Sequence, residues 1–146
     1  MEKDIECLEK VQKRLIRSLS NVRGSTYEEK LKDAGLTSLK DRRRRGDLIE
    51  AFKTLNGFNN VEKSAWFEIA DPDQSHHVTR SQSSDVTNGN STCILRQRAR
   101  TELRNQSYRF RTARAWSCLP DNVRNATSVN AFKNAYDAWQ TKSQTQ

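Results

Sequence analysis

Hydrophobic positions along the chain recur at helical spacing in several places, with long polar intervals between them. Ile5, Leu8, Val11, Leu15, Ile16 and Leu19 fall three and four residues apart, which predicts an amphipathic helix ended by Ser20-Asn21 and Gly24. Ser25, with Glu28 three residues on, has the form of a capping box, and Gly35 supplies the stop for that second helix. A longer helix is expected from Ser38, with Asp41 in the capping position, to the Leu55-Asn56-Gly57 terminus. Its stripe is Leu39, Ile49, Phe52 and Leu55, and Gly46 falls on the buried side, where a second helix could cross closely. Residues 61–70 read as a short helix presenting Trp66, or Phe67 with Ile69, to a core.

Residues 71–91 hold almost nothing apolar and read as a long polar loop or disordered linker. The next stretch, "CILRQRARTELR", fits two periods. As a strand it sets Ile94, Arg96, Arg98, Arg100 and Arg104 on one face and Cys93, Leu95, Ala99 and Leu103 on the other. As a helix it still aligns Leu95, Ala99 and Leu103, and the alternation favours the extended form. A helix from about Ser107 turns Tyr108, Thr112, Ala115, Trp116 and Leu119 inward until Pro120 ends it. The last helix starts near Ser128 with Val129, Phe132, Tyr136 and Trp139, and residues 141–146 are a polar, disordered tail. The expectation is a mainly α fold: four to six helices, a short extended or β element near 93–103, and the polar loop near 71–91. It divides into a helical half (1–70), a linker (71–91) and a basic half (92–140).

Charge sharpens this picture. The 146 residues carry a formal net charge of +8, and residues 96–124 alone hold eight basic residues, all arginine, against two carboxylates. Residues 42–45 add a run of four more. Arginine stays charged and offers a planar fork to phosphate, so this pattern points to a polyanion. Arg43 and Arg44 should face solvent most fully, with Arg42 and Arg45 flanking the apolar stripe.

Other chemistry is hard to find. The three cysteines (Cys7, Cys93, Cys118) are odd in number and widely spaced, so neither a disulfide framework nor a zinc ligand set is expected, even with His76-His77 added. Reduced thiols, a charged N-terminal segment without signal-peptide character and no long apolar run imply an intracellular protein with no membrane partner. No phosphate-binding glycine loop, nucleophile elbow or metalloprotease motif is present. Asp71 and Asp73 form the one close carboxylate pair outside helices, in the least structured part of the chain. No catalytic residue, metal ligand, cofactor or small-molecule substrate is therefore assigned. A helix-turn-helix around Ala34-Gly35 fails on register: Lys40 occupies the position that should pin the second helix, and Leu39 comes one residue early.

Four blocks occur in order: "LEKVQKR" (8–14), "YEEKLKDAGLTSLKDRRRRGDLIEAFKTLNG" (27–57), "YRFRTARAWSCLP" (108–120) and "NATSVNAFKNAYDAW" (125–139). Together they resemble the C-terminal region of non-LTR (LINE-type, jockey-like) retrotransposon endonuclease–reverse transcriptases, downstream of the polymerase domain. The likeness covers most of the chain except roughly 58–92. Within it, Tyr27, Gly35, Leu39, Gly46, Asp47, Arg111, Trp116, Pro120, Phe132 and Trp139 stand at positions typical of the family. Thr37, Ser117 and Ala135-Tyr136 depart from it.

The resemblance implies a non-catalytic appendage, because the family's polymerase and endonuclease carboxylates lie upstream and this chain has no Asp-Asp pair. It also implies a nuclear or cytoplasmic setting. The expected role is to bind RNA or DNA, single-stranded RNA by preference, through Arg42, Arg43, Arg44, Arg45, Arg96, Arg98, Arg100, Arg104, Arg109, Arg111 and Arg114, with Phe110 stacking on a base. A different reading is a helical docking module whose apolar faces, 5–19 and 128–139, pack on the polymerase portion of a retrotransposon protein. A non-functional retroelement fragment is the third.

Overall fold

The computed structural model describes residues 2–69, 94–95 and 97–143. Among these, eight helices follow one another: α1 (Glu2–Ser18), α2 (Tyr27–Asp33), α3 (Leu39–Leu55), α4 (Lys63–Trp66), α5 (Glu102–Asn105), α6 (Tyr108–Ser117), α7 (Asp121–Arg124) and α8 (Val129–Ser143). The architecture is mainly α, as expected. Three of the helices (α4, α5 and α7) are four-residue turns: α4 lies within the short helix read at 61–70, whereas α5 and α7 are too short for hydrophobic periodicity to register. The expected polar loop at 71–91 lies outside the described residues.

Two compact units result, Met1–Gly46 and Asp47–Gln146, and the division falls inside α3. It does not fall in the polar stretch at 71–91, because residues on both sides of that stretch share one core. Hydrophobic contact decides where a unit ends, and composition along the chain does not report it.

In the first unit, local chemistry sets the helix ends. The cap of α2 is Thr26, one residue later than the sequence implied. Its hydroxyl accepts from the Glu29 amide at 3.2 Å, and the Glu29 carboxylate accepts from the Ser25 and Thr26 amides at 2.7 and 3.1 Å. These amides hold the Glu29 carboxyl below the usual carboxylate range. Gly35, at φ 65°, closes the helix as expected: its amide donates to the Lys32 carbonyl and the Leu36 amide to that of Leu31. Ser38 then caps α3, accepting from the Asp41 amide while its hydroxyl donates to the Asp41 carboxylate.

α1 is tied to this unit largely by polar groups. Glu9 accepts from the Tyr27 hydroxyl (2.8 Å) and from the Leu39 amide (3.2 Å), and Gln12 donates to the Thr37 carbonyl (3.0 Å). Desolvation, together with the bond to Glu9, pushes the Tyr27 phenol up to about 12. Of the apolar stripe read along residues 5–19, Ile16 is buried, whereas Leu8, Val11, Leu15 and Leu19 are exposed. The face turned inward carries Glu9, Gln12 and Ile16.

The second unit has the larger core. Leu48, Ile49, Ala51, Phe52 and Leu55 of α3 pack with Ala113 and Trp116 of α6, with Leu119 and Val123, and with Phe132 and Tyr136 of α8. Phe132 is its centre, stacked on Phe52 at 4.5 Å and on Trp116 at 6.1 Å between ring centroids. Phe67, not Trp66, enters this core: Phe67 is 1% exposed and Trp66 44%.

Three further expectations are corrected. Gly46 is exposed, and a Cβ added there meets nothing within 4 Å, so no described helix crosses closely at it. The 93–103 element is present, among the described residues, as a non-helical stretch with an antiparallel bridge between Ile69 and Ile94, and α5 begins at Glu102. Ile94, assigned to the arginine face, is the residue that is buried, while Leu95 and Leu103 are exposed. At the other end, α8 runs on through Ser143, which includes the first residues of the expected tail.

Candidate nucleic-acid interface

The arginines of the second unit separate into two groups according to what α3, α6 and their flanking turns offer them. Arg111 belongs to the structure. Its Nε donates to one Asp47 carboxylate oxygen at 2.6 Å and its Nη2 to the other at 3.0 Å, while Nη1 donates to the Gln106 carbonyl at 2.8 Å. All three groups of the guanidinium are thereby engaged, with the side chain 24% exposed and that of Asp47 15%. Phosphate could reach Arg111 only by displacing Asp47, so Arg111 is removed from the phosphate-binding set. The neighbouring Tyr108 hydroxyl donates to the Asp47 carbonyl at 3.4 Å. Burial, with the Asp47 and Glu50 charges, pushes that phenol up to about 12.

Arg124, inside the same charged segment, is likewise buried, and it pairs with Asp121 at 2.7 Å. Arg109 is intermediate: half-buried, it lies 3.6 Å from the Glu68 carboxylate, to which Gln97 also donates.

Arg98, Arg100, Arg104 and Arg114 are exposed, and none has a carboxylate partner among the described residues. Thr101 caps α5 by accepting from the Arg104 amide at 3.3 Å, which ends the extended run and starts a helical turn between Arg100 and Arg104. Arg104 lies over the Phe110 ring at 5.3 Å. Phe110 is half-buried and one face already carries a guanidinium, so it is a poorer platform for a base than the sequence implied. Arg96 lies outside the described residues.

In the first unit, Arg42, Arg43 and Arg44 are exposed on α3. Arg45 is half-buried and has a partner of its own.

Sequence reading missed one aromatic. Trp66 is the most exposed tryptophan, and its ring meets that of Tyr108 edge-on at 5.6 Å between centroids. The signal was present in "SAWFEIA", where only one of two adjacent aromatics can face the core of a short helix. Phe67, Glu68, Ile94, Leu95, Gln97, Arg109, Phe110 and Ala113 line a cleft with room for no more than a water molecule, so no base can insert there.

No group of three His, Cys, Asp or Glu able to hold a metal occurs among the described residues; His76, His77 and Cys93 lie outside them. Cys7 and Cys118 are free and exposed. No described helix is long and apolar enough to cross a membrane. Comparison of the chain with family models, with curated proteins and with solved structures gives no match.

Proposed function

We propose that this chain is a non-catalytic nucleic-acid-binding segment related to the C-terminal region of non-LTR retrotransposon reverse transcriptases. Its ligand is a single-stranded RNA backbone, gripped by Arg98, Arg100, Arg104 and Arg114. The observation that carries this reading is the set of four exposed arginines with no carboxylate partner among the described residues, close in sequence and in the same unit as an exposed tryptophan. Phosphates pair with the arginines, and Trp66 replaces Phe110 as the surface on which an unpaired base stacks. Arg42, Arg43 and Arg44 are a second basic stretch, in the other unit.

The retrotransposon relationship rests on the four ordered blocks, and side chains from separate blocks meet in one core. Asp47 comes from the second block, Arg111 and Trp116 from the third, and Phe132 from the fourth. Such meetings are what blocks retained together for folding would make. Docking through both terminal apolar faces loses half its basis, because Phe132 and Tyr136 of α8 are spent in the unit's own core.

The test is fluorescence anisotropy with labelled single-stranded RNA and duplex DNA across a salt series, comparing the parent with Arg98, Arg100, Arg104 and Arg114 changed together to Ala. At a slope of about 0.7 per phosphate neutralised on a single strand, losing four contacts flattens the salt dependence by about 3. Equal binding by parent and variant, or none at low salt, overturns the reading.

A further inference from the structure

We infer that α1 pairs with α1 of a second copy of this chain, antiparallel, through its exposed apolar stripe. Leu8, Val11 and Leu15 are 63, 66 and 57% exposed and, at about 100° per residue, share one edge of α1, and Leu19, 44% exposed, follows directly after its end. Their own unit turns away from this edge and holds α1 by Glu9, Gln12 and Ile16. Four large apolar side chains in a row are a seam awaiting a partner.

Charge selects the partner and its direction. Residues 2–9 contain Glu2, Asp4, Glu6 and Glu9 against Lys3, whereas residues 10–17 contain Lys10, Lys13, Arg14 and Arg17 and no carboxylate. Two parallel copies would set acidic on acidic and basic on basic. Two antiparallel copies set each acidic half on a basic half, and the arrangement closes under two-fold symmetry, every contact occurring twice. The same polarity disfavours an anionic lipid surface, which would attract the second half of α1 and repel the first.

Centring the seam between Val11 and Leu15 sets Val11 against the partner's Leu15 and brings Leu8 within one residue of the partner's Leu19. Cys7 and Ser18 lie on one flank of the stripe, so in this register Cys7 of each copy comes beside Ser18 of the other. The two Cys7 residues are then separated by about 18 Å along the axis, far beyond disulfide reach. The seam is short for a stable interface, so the dimer is weak and fills only at high protein concentration.

Sedimentation equilibrium of the full chain over a concentration series, at low and high salt, is the first readout. A monomer–dimer equilibrium weakened by salt is expected. The Leu8→Ser/Leu15→Ser variant, whose changes touch only exposed positions, should stay monomeric at every concentration with an unchanged circular dichroism spectrum. In a Cys93→Ser/Cys118→Ser background, mild oxidation should leave Cys7 unlinked, while adding Ser18→Cys should give a covalent dimer. A chain that stays monomeric, a variant that still dimerises, or a disulfide formed by Cys7 alone each overturns the proposal. So does a monomer that loses binding to phosphatidylserine vesicles when the stripe is changed, which would make this face a membrane surface.

Discussion

Arg111→Ala should unfold the second unit more easily while leaving its grip on RNA intact. Arg111 makes three charge-assisted hydrogen bonds, two of them to the Asp47 carboxylate on α3. A fully exposed ion pair contributes about 0–1 kcal/mol, and breaking a fully buried one costs about 3–5 kcal/mol. With side chains 24 and 15% exposed, this pair lies nearer the buried limit. The expected loss is about 2–3 kcal/mol, most of it from leaving Asp47 half-buried without its partner. Arg111→Lys keeps the charge but cannot reproduce the fork, and should recover about 1 kcal/mol. A cycle with Asp47→Ala should give a coupling energy of about 2 kcal/mol.

Urea unfolding followed by tryptophan fluorescence measures this directly, since Trp116 is buried in the same unit and stacked on Phe132. Anisotropy at a temperature where both proteins are folded then measures RNA affinity, which should differ less than twofold between Arg111→Ala and parent. Single Arg98→Ala or Arg100→Ala changes should do the reverse: stability within about 0.5 kcal/mol of parent and weaker RNA binding. Arg111→Ala costing under about 0.5 kcal/mol, or weakening RNA binding as much as Arg98→Ala does, would refute the division of the arginines.

Other substitutions probe the packing. The Thr112 hydroxyl is fully buried with no hydrogen-bond partner among the described residues, so Thr112→Val should stabilise the second unit by about 1–2 kcal/mol in urea unfolding. Gly46 is helical with open space where a Cβ would stand, so Gly46→Ala should stabilise by about 1 kcal/mol; a close helix crossing there would instead make it destabilising. Alkaline titration followed by phenolate absorbance should show Tyr27 and Tyr108 ionising only near pH 12. Both phenols lie above their unfolded pKa of 10, so the stability they contribute is full below pH 10 and lost as pH rises towards 12, which unfolding measurements across that range check. Trp66→Ala should abolish most of the fluorescence quenching produced by RNA and, by removing the edge-on contact with Tyr108, cost about 0.5–1.5 kcal/mol in urea unfolding.

The mainly helical class, the long helices, the Gly35 and Gly57 stops and the inward turn of Trp116, Phe132 and Tyr136 were all legible in the sequence. Each depends on residues within a turn or two of one another: a glycine at positive φ, a capping hydroxyl, or apolar side chains one helical turn apart. Composition likewise showed that basic charge concentrates in 96–124, because counting charges needs no coordinates.

Which arginines stay available was not legible. Arg111 and Arg114 stand on the same short helix in the same basic run, yet Arg111 is taken by a carboxylate 64 residues away and Arg114 faces solvent. Nor could the periodicity of α1 show that its apolar edge is turned outward, since an amphipathic pattern records that a helix has an apolar side and not that this chain covers it. Local rules determine where helices form and end. The fate of each charge and each apolar face is decided by long-range packing, where a partner's free energy depends on what else has already been removed from water.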